Sequence, residues 1–238
     1  MKTPPPADAV VPIAIPGIHE RFAAHFRREL SPLKGLRVLE VGAGHGAFTR
    51  WLWEAGCEVT ACDLYPEIYR FDEVPCLRAD LTEGLPFPDE AFDVVVAVEV
   101  AEHIHDHGVF FRECHRVLKP GGRLMVTTPN ILSLKSRLRF LLSGFFYSFK
   151  PLDHTRNDGL QHLAARTLDQ YRNLALRAGF PTLTLAVDKW QGTSRALLFL
   201  WPFLYLYCRW QGIAFSVHNR LDLLLGRILF LSFHKDQG

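Results

Sequence analysis

A short apolar strand that leads directly into a glycine-rich loop and then into a helix limits the fold of this chain more than any other feature. Residues 36–41 are mostly apolar, the loop occupies 42–46, and apolar residues at helical spacing continue to Gly56. Further apolar stretches alternate with helical patterns along the chain. Such alternation is typical of a parallel sheet covered by helices. The sequence therefore predicts an α/β fold.

Seven strands are predicted from apolar runs that turn residues delimit. They lie near 36–41, 58–62, 76–79, 92–98, 123–128, 181–187 and 226–234. Helices are predicted at 17–30, after the glycine loop, before the turn at 119–122, and from Thr167 to Gly179. Because no repeat or linker divides these elements, we expect a flexible leader over 1–16 and one domain over 17–238. Two insertions are expected within that domain, near 131–163 and 191–225.

Composition excludes several classes of protein. The 27 basic and 25 acidic residues leave a formal net charge of +2, so no nucleic-acid partner is expected. The five cysteines never form a C-x-x-C pair, which indicates a reducing compartment. Prolines interrupt the N-terminus, so it lacks the apolar core of a signal peptide, and the uncharged apolar run over 196–208 is too short to span a bilayer. We therefore expect a cytoplasmic protein, either free or peripheral on a membrane.

Two carboxylates beside the glycine loop point to an adenosine cofactor. Gly42, Gly44 and Ala47 fit the pattern G-x-G-x-x-A, which dinucleotide-binding folds also show. Asp63 ends the second strand, where a carboxylate accepts hydrogen bonds from ribose hydroxyls. Glu40 precedes the loop, and its charge would repel a pyrophosphate but attract an ammonium or sulfonium group. This arrangement favours S-adenosylmethionine over a nicotinamide dinucleotide.

Several ordered sequence blocks resemble the class I S-adenosylmethionine-dependent methyltransferases, especially those that act on small molecules. The blocks are VLEVGAGHGAFT (38–49), ACDLYP (61–66), RADLTEGLPFPDEAFDVVVAVEVAEHI (78–104), RVLKPGG (116–122) and TTPN (127–130). The resemblance covers about 35–190 and the final strand. It implies a Rossmann-like seven-stranded sheet with helices on both faces and an antiparallel strand seven. It also implies that S-adenosylmethionine is the methyl donor and S-adenosylhomocysteine the product.

The same resemblance assigns the cofactor contacts. It implies that the methionine moiety is held by Glu40, Gly42, Ala43 and Gly44, and the ribose by Asp63 and Leu64. It further implies that Asp80 and Leu81 contact the adenine and that Glu99 lies near the sulfonium. A purely local role remains open for some of these residues. Asp80 also fits an aspartate that opens a turn, and the two leucines also fit an ordinary core.

His103 is the candidate catalytic base, because it follows the fourth strand at the edge where open α/β sheets bind ligands. A structural histidine is the alternative. Glu99, Glu102 and His103 would share one face if this segment is helical, and His162 or His154 would then complete a metal site. Similar E-x-x-E-H runs bind a divalent metal in some ubiquinone-pathway and small-RNA methyltransferases. Two carboxylates would favour magnesium or manganese over zinc, and whether a metal binds is left open.

The two insertions are the candidate acceptor-binding segments, since both are expected at the carboxyl edge of the sheet. Residues 131–150 contain basic but no acidic side chains, and 195–214 are rich in large apolar ones. These features fit peripheral membrane contact, but equally a lid or a homodimer interface. The leading hypothesis is methyl transfer to an oxygen of a small or lipid-linked acceptor, at or near a membrane. The alternatives are a nicotinamide-dependent oxidoreductase and a catalytically silent, cofactor-binding membrane adaptor.

Overall fold

A computed structural model describes residues 10–156 and 159–237. Its strands are β1 (Arg37–Val41), β2 (Glu58–Asp63), β3 (Cys76–Arg78), β4 (Phe92–Val98), β5 (Leu118–Pro129), β6 (Thr182–Val187) and β7 (Ile228–His234). Its α-helices are α1 (Ile18–Leu30), α2 (Ala47–Glu54), α3 (His107–Val117), α4 (Leu134–Ser143), α5 (Leu168–Ala178), α6 (Gly192–Ala196), α7 (Trp201–Trp210), α8 (Phe215–His218) and α9 (Leu221–Leu225). Every predicted strand is present.

All seven strands form one sheet in the order β3-β2-β1-β4-β5-β7-β6. The first five strands pair in parallel, whereas β7 is antiparallel to both β5 and β6. The strand order reverses beside β1, between β1 and β4, which is where open α/β sheets leave a crevice for a ligand. The predicted sheet and its antiparallel last strand are therefore confirmed.

The central strand β4 is buried on both faces. Val94 and Val96 pack on one side with side chains of α1 and α2, and Val95 and Ala97 pack on the other with α3 and α5. Each such aliphatic side chain stabilises the fold by about 1.5–3 kcal/mol when it is fully buried. The continuous apolar run of β4 thus fixes the helices on both sides of the sheet.

Strand β5 begins earlier than expected. The sequence predicts a turn over 119–122 and a strand from Arg123, but β5 starts at Leu118. Leu118 pairs with Phe92 and Arg123 pairs with Val94, so the predicted turn is a bulge inside the strand. The difference changes the start of β5 and leaves its carboxyl end in place.

The two insertions pack on each other at the carboxyl edge of the sheet. Leu134 of α4 lies in one apolar cluster with Leu224 and Leu225 of α9. Asn130, at the end of β5, ties them together because its Nδ2 donates to the carbonyls of Leu223 (2.7 Å) and Gly226 (2.9 Å). None of the helices within the described residues is long and apolar enough to cross a membrane.

The described part of the expected leader contacts the glycine loop. The ring Nδ1 of His45 lies 3.1 Å from the carbonyl oxygen of Val11, and Val10 packs beside Ala43. Residues 1–9 of the leader lie outside the described residues. Residues 10–16 therefore form part of the wall around the loop.

Candidate active site

The backbone of the glycine loop, where Gly42 and Gly44 have no side chain, would let a ligand approach closely. The N–H groups of Gly42 and Ala43 donate to the carbonyl of Cys62 at 2.8 and 3.2 Å, and that of Gly44 donates to Asp63 Oδ2 at 2.8 Å. Gly42 has a φ of 70°, and a Cβ there would collide with the side chain of Val100. With these donors already used inside the chain, the loop lacks the row of free N–H groups that cradles a pyrophosphate. This geometry favours S-adenosylmethionine.

Glu40 lies beneath the loop and is only 2% exposed. The hydroxyl of Thr49 donates to its Oε2, and burial raises the pKa of Glu40 to about 8. A buried carboxylate of this kind is stabilised in its charged form by a cation. The ammonium group of S-adenosylmethionine is such a cation, so the burial of Glu40 fits the predicted methionine site. Thr49 was not singled out from the sequence, although it lies inside one of the ordered blocks.

Asp63 is held at the end of β2 by two backbone hydrogen bonds. Its Oδ2 accepts from Gly44 and its Oδ1 accepts from Tyr65, both at 2.8 Å. A carboxylate has about four acceptor sites, so each oxygen keeps one for a ribose hydroxyl. Leu64 beside it is 37% exposed, so it is accessible to a ligand. Both placements fit the predicted ribose site.

Asp80 has a local structural role that its sequence position also allowed. Its Oδ1 accepts from the N–H and the hydroxyl of Thr82, at 2.8 and 2.7 Å. Leu81 packs against the larger core cluster. These contacts hold the turn after β3, and an adenine contact by the two residues stays a prediction.

Glu99 adopts a backbone conformation that non-glycine residues rarely take, with a φ of 56°. Such strain costs about 1–3 kcal/mol and is found mainly at functional sites. Thr127 holds the residue, because its hydroxyl accepts from the Glu99 N–H (2.9 Å) and donates to Oε1 (3.0 Å). Burial raises the pKa of Glu99 to about 7, although the Thr127 bond and the charge of Arg227 act in the opposite direction. Sequence reasoning missed Thr127, which lies on the neighbouring strand β5 but is 28 residues away in the chain.

The helical interpretation of 99–103 is wrong. β4 ends at Val98, and only Ala101–His103 form a short 3-10 turn, so Glu99 does not share a helical face with Glu102 and His103. Within the described residues, the group able to hold a metal ion is Glu102, His103 and His162, whose ligand atoms lie within 4.8 Å of one another. His162 is thus the third member that was expected, whereas Glu99 and His154 are outside the group.

The three side chains have the chemistry of a cation site. Glu102 is 1% exposed, and its Oε1 and the Nδ1 of His162 are buried without a hydrogen-bond partner among the described residues. Burial raises the pKa of Glu102, and burial together with His103 lowers the pKa of His162 to about 4, so this imidazole is neutral. Two imidazoles and one carboxylate suit zinc, iron or manganese better than magnesium. The expected preference for magnesium depended on Glu99 and loses its basis.

Known proteins resemble this chain in sequence and in fold. Residues 39–126 match the family model described as a methyltransferase domain. The ubiquinone biosynthesis O-methyltransferase of Chelativorans sp. (strain BNC1) is 32% identical over 130 residues, which cover 50% of this chain and 51% of that protein. The demethylmenaquinone methyltransferase of Tropheryma whipplei (strain Twist) is 39% identical over 113 residues, covering 43% and 47% of the two chains. The chain thus matches about half the length of these relatives.

A solved structure extends the likeness in fold to most of the chain. The crystal structure of a SAM-dependent methyltransferase from Archaeoglobus fulgidus superimposes with a TM-score of 0.59 and 17% sequence identity. It covers 91% of this chain and 94% of that one. The expected methyltransferase resemblance is confirmed. Residues 39–126 therefore match a methyltransferase domain, and most of the chain has the fold of a SAM-dependent methyltransferase.

Proposed function

We propose that the protein transfers the methyl group of S-adenosylmethionine to an oxygen atom of a small or lipid-linked acceptor, at or near a membrane surface. The observation that carries the proposal is the pair of acids around the glycine loop, with Glu40 buried beneath it and Asp63 fixed beside it. The name of the Chelativorans relative specifies methylation at oxygen in ubiquinone biosynthesis, which supports an oxygen acceptor.

His103 is proposed as the base of this reaction. Its Nδ1 lies 3.0 Å from the carbonyl oxygen of Gln161, which accepts a hydrogen bond from Nδ1–H, so Nε2 is the basic nitrogen. During transfer, the acceptor oxygen bonds to the methyl carbon as the carbon–sulfur bond breaks, and the hydroxyl proton passes to Nε2. We expect His103→Gln to lower kcat by about 10²- to 10⁴-fold, the usual contribution of a general base, while affinity for S-adenosylhomocysteine is kept.

The exposed neighbour His105 provides the matched control. His105→Gln is expected to keep the turnover of the parent protein. If His103→Gln turns over as fast as His105→Gln, His103 is not the base.

A divalent ion at Glu102, His103 and His162 is the second role supported by this cluster. When bound, such an ion lowers the pKa of an acceptor hydroxyl. His103 would then be a ligand and no longer the base. Metal analysis of the purified chain tests this role directly: about one equivalent of ion is expected in the parent and in His154→Gln, and much less in His162→Gln. Equal and negligible contents in all three proteins would exclude the metal.

Membrane contact is proposed through 131–150 and 195–214. The inner faces of these segments pack on each other, but large apolar side chains remain exposed on the outside: Phe140, Leu141, Leu142, Phe199, Phe203, Leu206, Tyr207 and Trp210. Leu141 and Trp210 are 80% and 78% exposed. Apolar side chains beside basic ones, without acidic ones, suit an anionic lipid surface.

Flotation with anionic vesicles tests the membrane contact. We expect the parent protein and Trp53→Ser to float, because Trp53 lies on α2 outside the two segments although it is 46% exposed. Trp210→Ser should float much less. Equal recovery of Trp210→Ser and Trp53→Ser would contradict the contact, and a dimeric mass lost in Trp210→Ser would instead assign this face to a second copy.

Calorimetric titration with S-adenosylhomocysteine, NADH and NADPH tests the cofactor and separates the alternatives. Micromolar binding of S-adenosylhomocysteine alone supports the proposal. Binding of a nicotinamide nucleotide alone would favour the oxidoreductase. Binding of S-adenosylhomocysteine together with flotation, but without transfer to any quinol or lipid-linked hydroxyl acceptor, would favour the silent adaptor.

A further inference from the structure

A partly buried arginine, Arg137, joins the two insertions, and within the described residues it has no charged partner. Nε of Arg137 on α4 donates to the carbonyl of Leu132 (2.8 Å), Nη1 to Asn219 Oδ1 (2.6 Å), and Nη2 to the carbonyl of His218 (2.6 Å). All three acceptors are neutral. The guanidinium group has five N–H donors, so these bonds leave two of them for another acceptor.

The positive charge of Arg137 lacks a carboxylate throughout residues 10–156 and 159–237, where no ion pair includes it. Arg227 shows the contrast, because it is similarly buried but lies 2.7 Å from Asp188. The charge of Asp169 raises the pKa of the nearby His218. Among the described residues, no carboxylate has such an influence on the pKa of Arg137, which burial lowers. A charge that is partly removed from water and has no partner is costly, so a ligand that brings a negative charge gains from this position.

A cavity of about 320 Å³ opens beside this guanidinium group. Its walls are otherwise mainly apolar, formed by Leu132, Ile213, Ala214 and Val217. Its volume falls within the range of about 300–1,000 Å³ that is typical of small-molecule sites. A cationic end and an apolar wall together match a ligand that has an acidic head and a hydrocarbon chain.

A second polar atom on the cavity wall is also without a partner. Nε2 of His218 is buried and has no hydrogen bond among the described residues. Burial lowers the pKa of His218, so its ring is neutral and one of its nitrogens carries a proton. The cavity therefore contains both a cation and an imidazole nitrogen next to its apolar wall.

We propose that this cavity binds an anionic amphiphile, whose phosphate or carboxylate head pairs with Arg137 and His218 and whose alkyl chain lies along Ile213, Ala214 and Val217. Paired N–H groups of arginine bind such heads in a bidentate geometry. The proposal is independent of the methyl transfer, since its ligand need not be methylated.

Titration of the full chain with four short compounds, each below its micelle concentration, tests the proposal. The compounds are octyl phosphate, octanol, inorganic phosphate and octyltrimethylammonium. Octyl phosphate is expected to bind about tenfold more tightly than octanol, because a charge-assisted hydrogen bond is worth a factor of this order. It should also bind at least about tenfold more tightly than inorganic phosphate, because inorganic phosphate has no alkyl chain to bury against the apolar wall. Equal affinity for octyl phosphate, octanol and the octyl cation would overturn the proposal, since it would show only apolar adsorption.

Variants place the binding in this cavity. Arg137→Gln removes the charge, and Val217→Trp fills the cavity from a position that is already 41% exposed, so it leaves the hydrogen bonds of Arg137 intact. Leu221→Trp is the matched control, because Leu221 is 50% exposed and does not line the cavity. Octyl phosphate affinity should fall at least about tenfold in the first two variants, in line with the loss of a charge-assisted bond. Unchanged affinity in a folded Val217→Trp protein would refute the proposal.

The acidic head can come from a free molecule or from a bilayer. Vesicles of phosphatidylcholine, with and without phosphatidic acid, distinguish these sources. If Val217→Trp weakens binding only to the vesicles that contain phosphatidic acid, the head group belongs to a membrane lipid. If it abolishes octyl phosphate binding and leaves vesicle binding unchanged, the ligand is a free amphiphile.

Discussion

Cofactor binding is expected to release a proton from Glu40. In the free protein, burial raises the pKa of this carboxyl to about 8, so Glu40 is protonated at pH 6.5. The ammonium group of S-adenosylhomocysteine stays protonated at this pH, since α-amino groups titrate near 7.7–8.0. When the two groups meet, the carboxyl ionises because the cation compensates for the loss of water. The proton leaves for the solvent.

The size of the effect follows from the pKa. At pH 6.5, ionising a carboxyl whose pKa is about 8 costs about 2 kcal/mol, and this cost falls by about 1.4 kcal/mol for each unit of pH. The association constant is therefore expected to rise about tenfold per pH unit below pH 8. At pH 6.5, close to one proton should be released for each ligand bound.

Calorimetry in several buffers measures this proton. The apparent enthalpy of S-adenosylhomocysteine binding changes with the ionisation enthalpy of the buffer, and the slope counts the protons released. Glu40→Gln is the control, because a glutamine amide still accepts a hydrogen bond from Thr49 but does not ionise. Glu99 also titrates near pH 7, so the difference between the two proteins is the quantity to compare.

A difference of about one proton is expected. If both proteins bind and release the same number of protons, Glu40 is not the partner of the ammonium group, and the assignment of the methionine site to this residue fails.

Three further outcomes are expected. Asp63→Asn should weaken S-adenosylhomocysteine binding about tenfold or more in calorimetry, since an amide supplies one acceptor oxygen where the carboxylate supplies two; unchanged affinity would remove Asp63 from the ribose site. Asn130→Ala should lower the free energy of unfolding, measured in urea, by about 2–5 kcal/mol, because the carbonyls of Leu223 and Gly226 and the N–H of Leu132 lose their partner. The control Asn173→Ala, at an exposed position, should change it little, and equal effects would show that Asn130 does not hold the insertions together. Because the pKa of Glu40 is about 8 in the folded protein and 4.5 in an unfolded chain, the free protein loses stability as the pH rises from about 4.5 to 8. Glu40→Gln should therefore make the free energy of unfolding less dependent on pH in this range, and parallel pH profiles of the two proteins would contradict the raised pKa.

The places of the candidate cofactor residues in the fold were predictable, because they depend on short stretches of chain. Glu40 is the penultimate residue of β1 and Asp63 is the last residue of β2, and the apolar runs of both strands are visible in the sequence. Their positions follow once the two strands pair in parallel, as Val41 and Cys62 do. Thr49 was missed although it is near in sequence, because a hydroxyl at the start of an amphipathic helix has no distinctive pattern.

The end of β4 was harder to predict. A helical spacing of Glu99, Glu102 and His103 was plausible in sequence, but the strand continues to Val98 and Glu99 takes a positive φ, which turns the next residues away from a helix. Residues that lie far apart in the chain, including Thr127, hold this conformation. Spacing within one segment contains no information about such partners.

The charge at Arg137 illustrates a different limit. In the sequence, it is one of several basic residues in 131–150, a segment whose composition fits membrane contact, a lid or a dimer interface. In the structure, it is partly buried because the segment around Asn219 folds over it from the second insertion. The partial burial of this residue depends on how the two insertions pack together, and the residue pattern of either insertion alone does not show that contact.

The order of the strands separates the cofactor-side strands β1–β5 from the two long connections, so that either part can change without the other. The family model ends at residue 126, inside β5, and therefore covers the strands around the cofactor. Because β7 is inserted between β5 and β6, the connection from β6 to β7 returns to the same edge as the one after β5. New chain length can be added at both connections without altering a hydrogen bond of β1 or β2. If the insertions bind the acceptor, as proposed, the fold combines a fixed donor module with an exchangeable acceptor module, and engineering of acceptor choice should begin beyond β5.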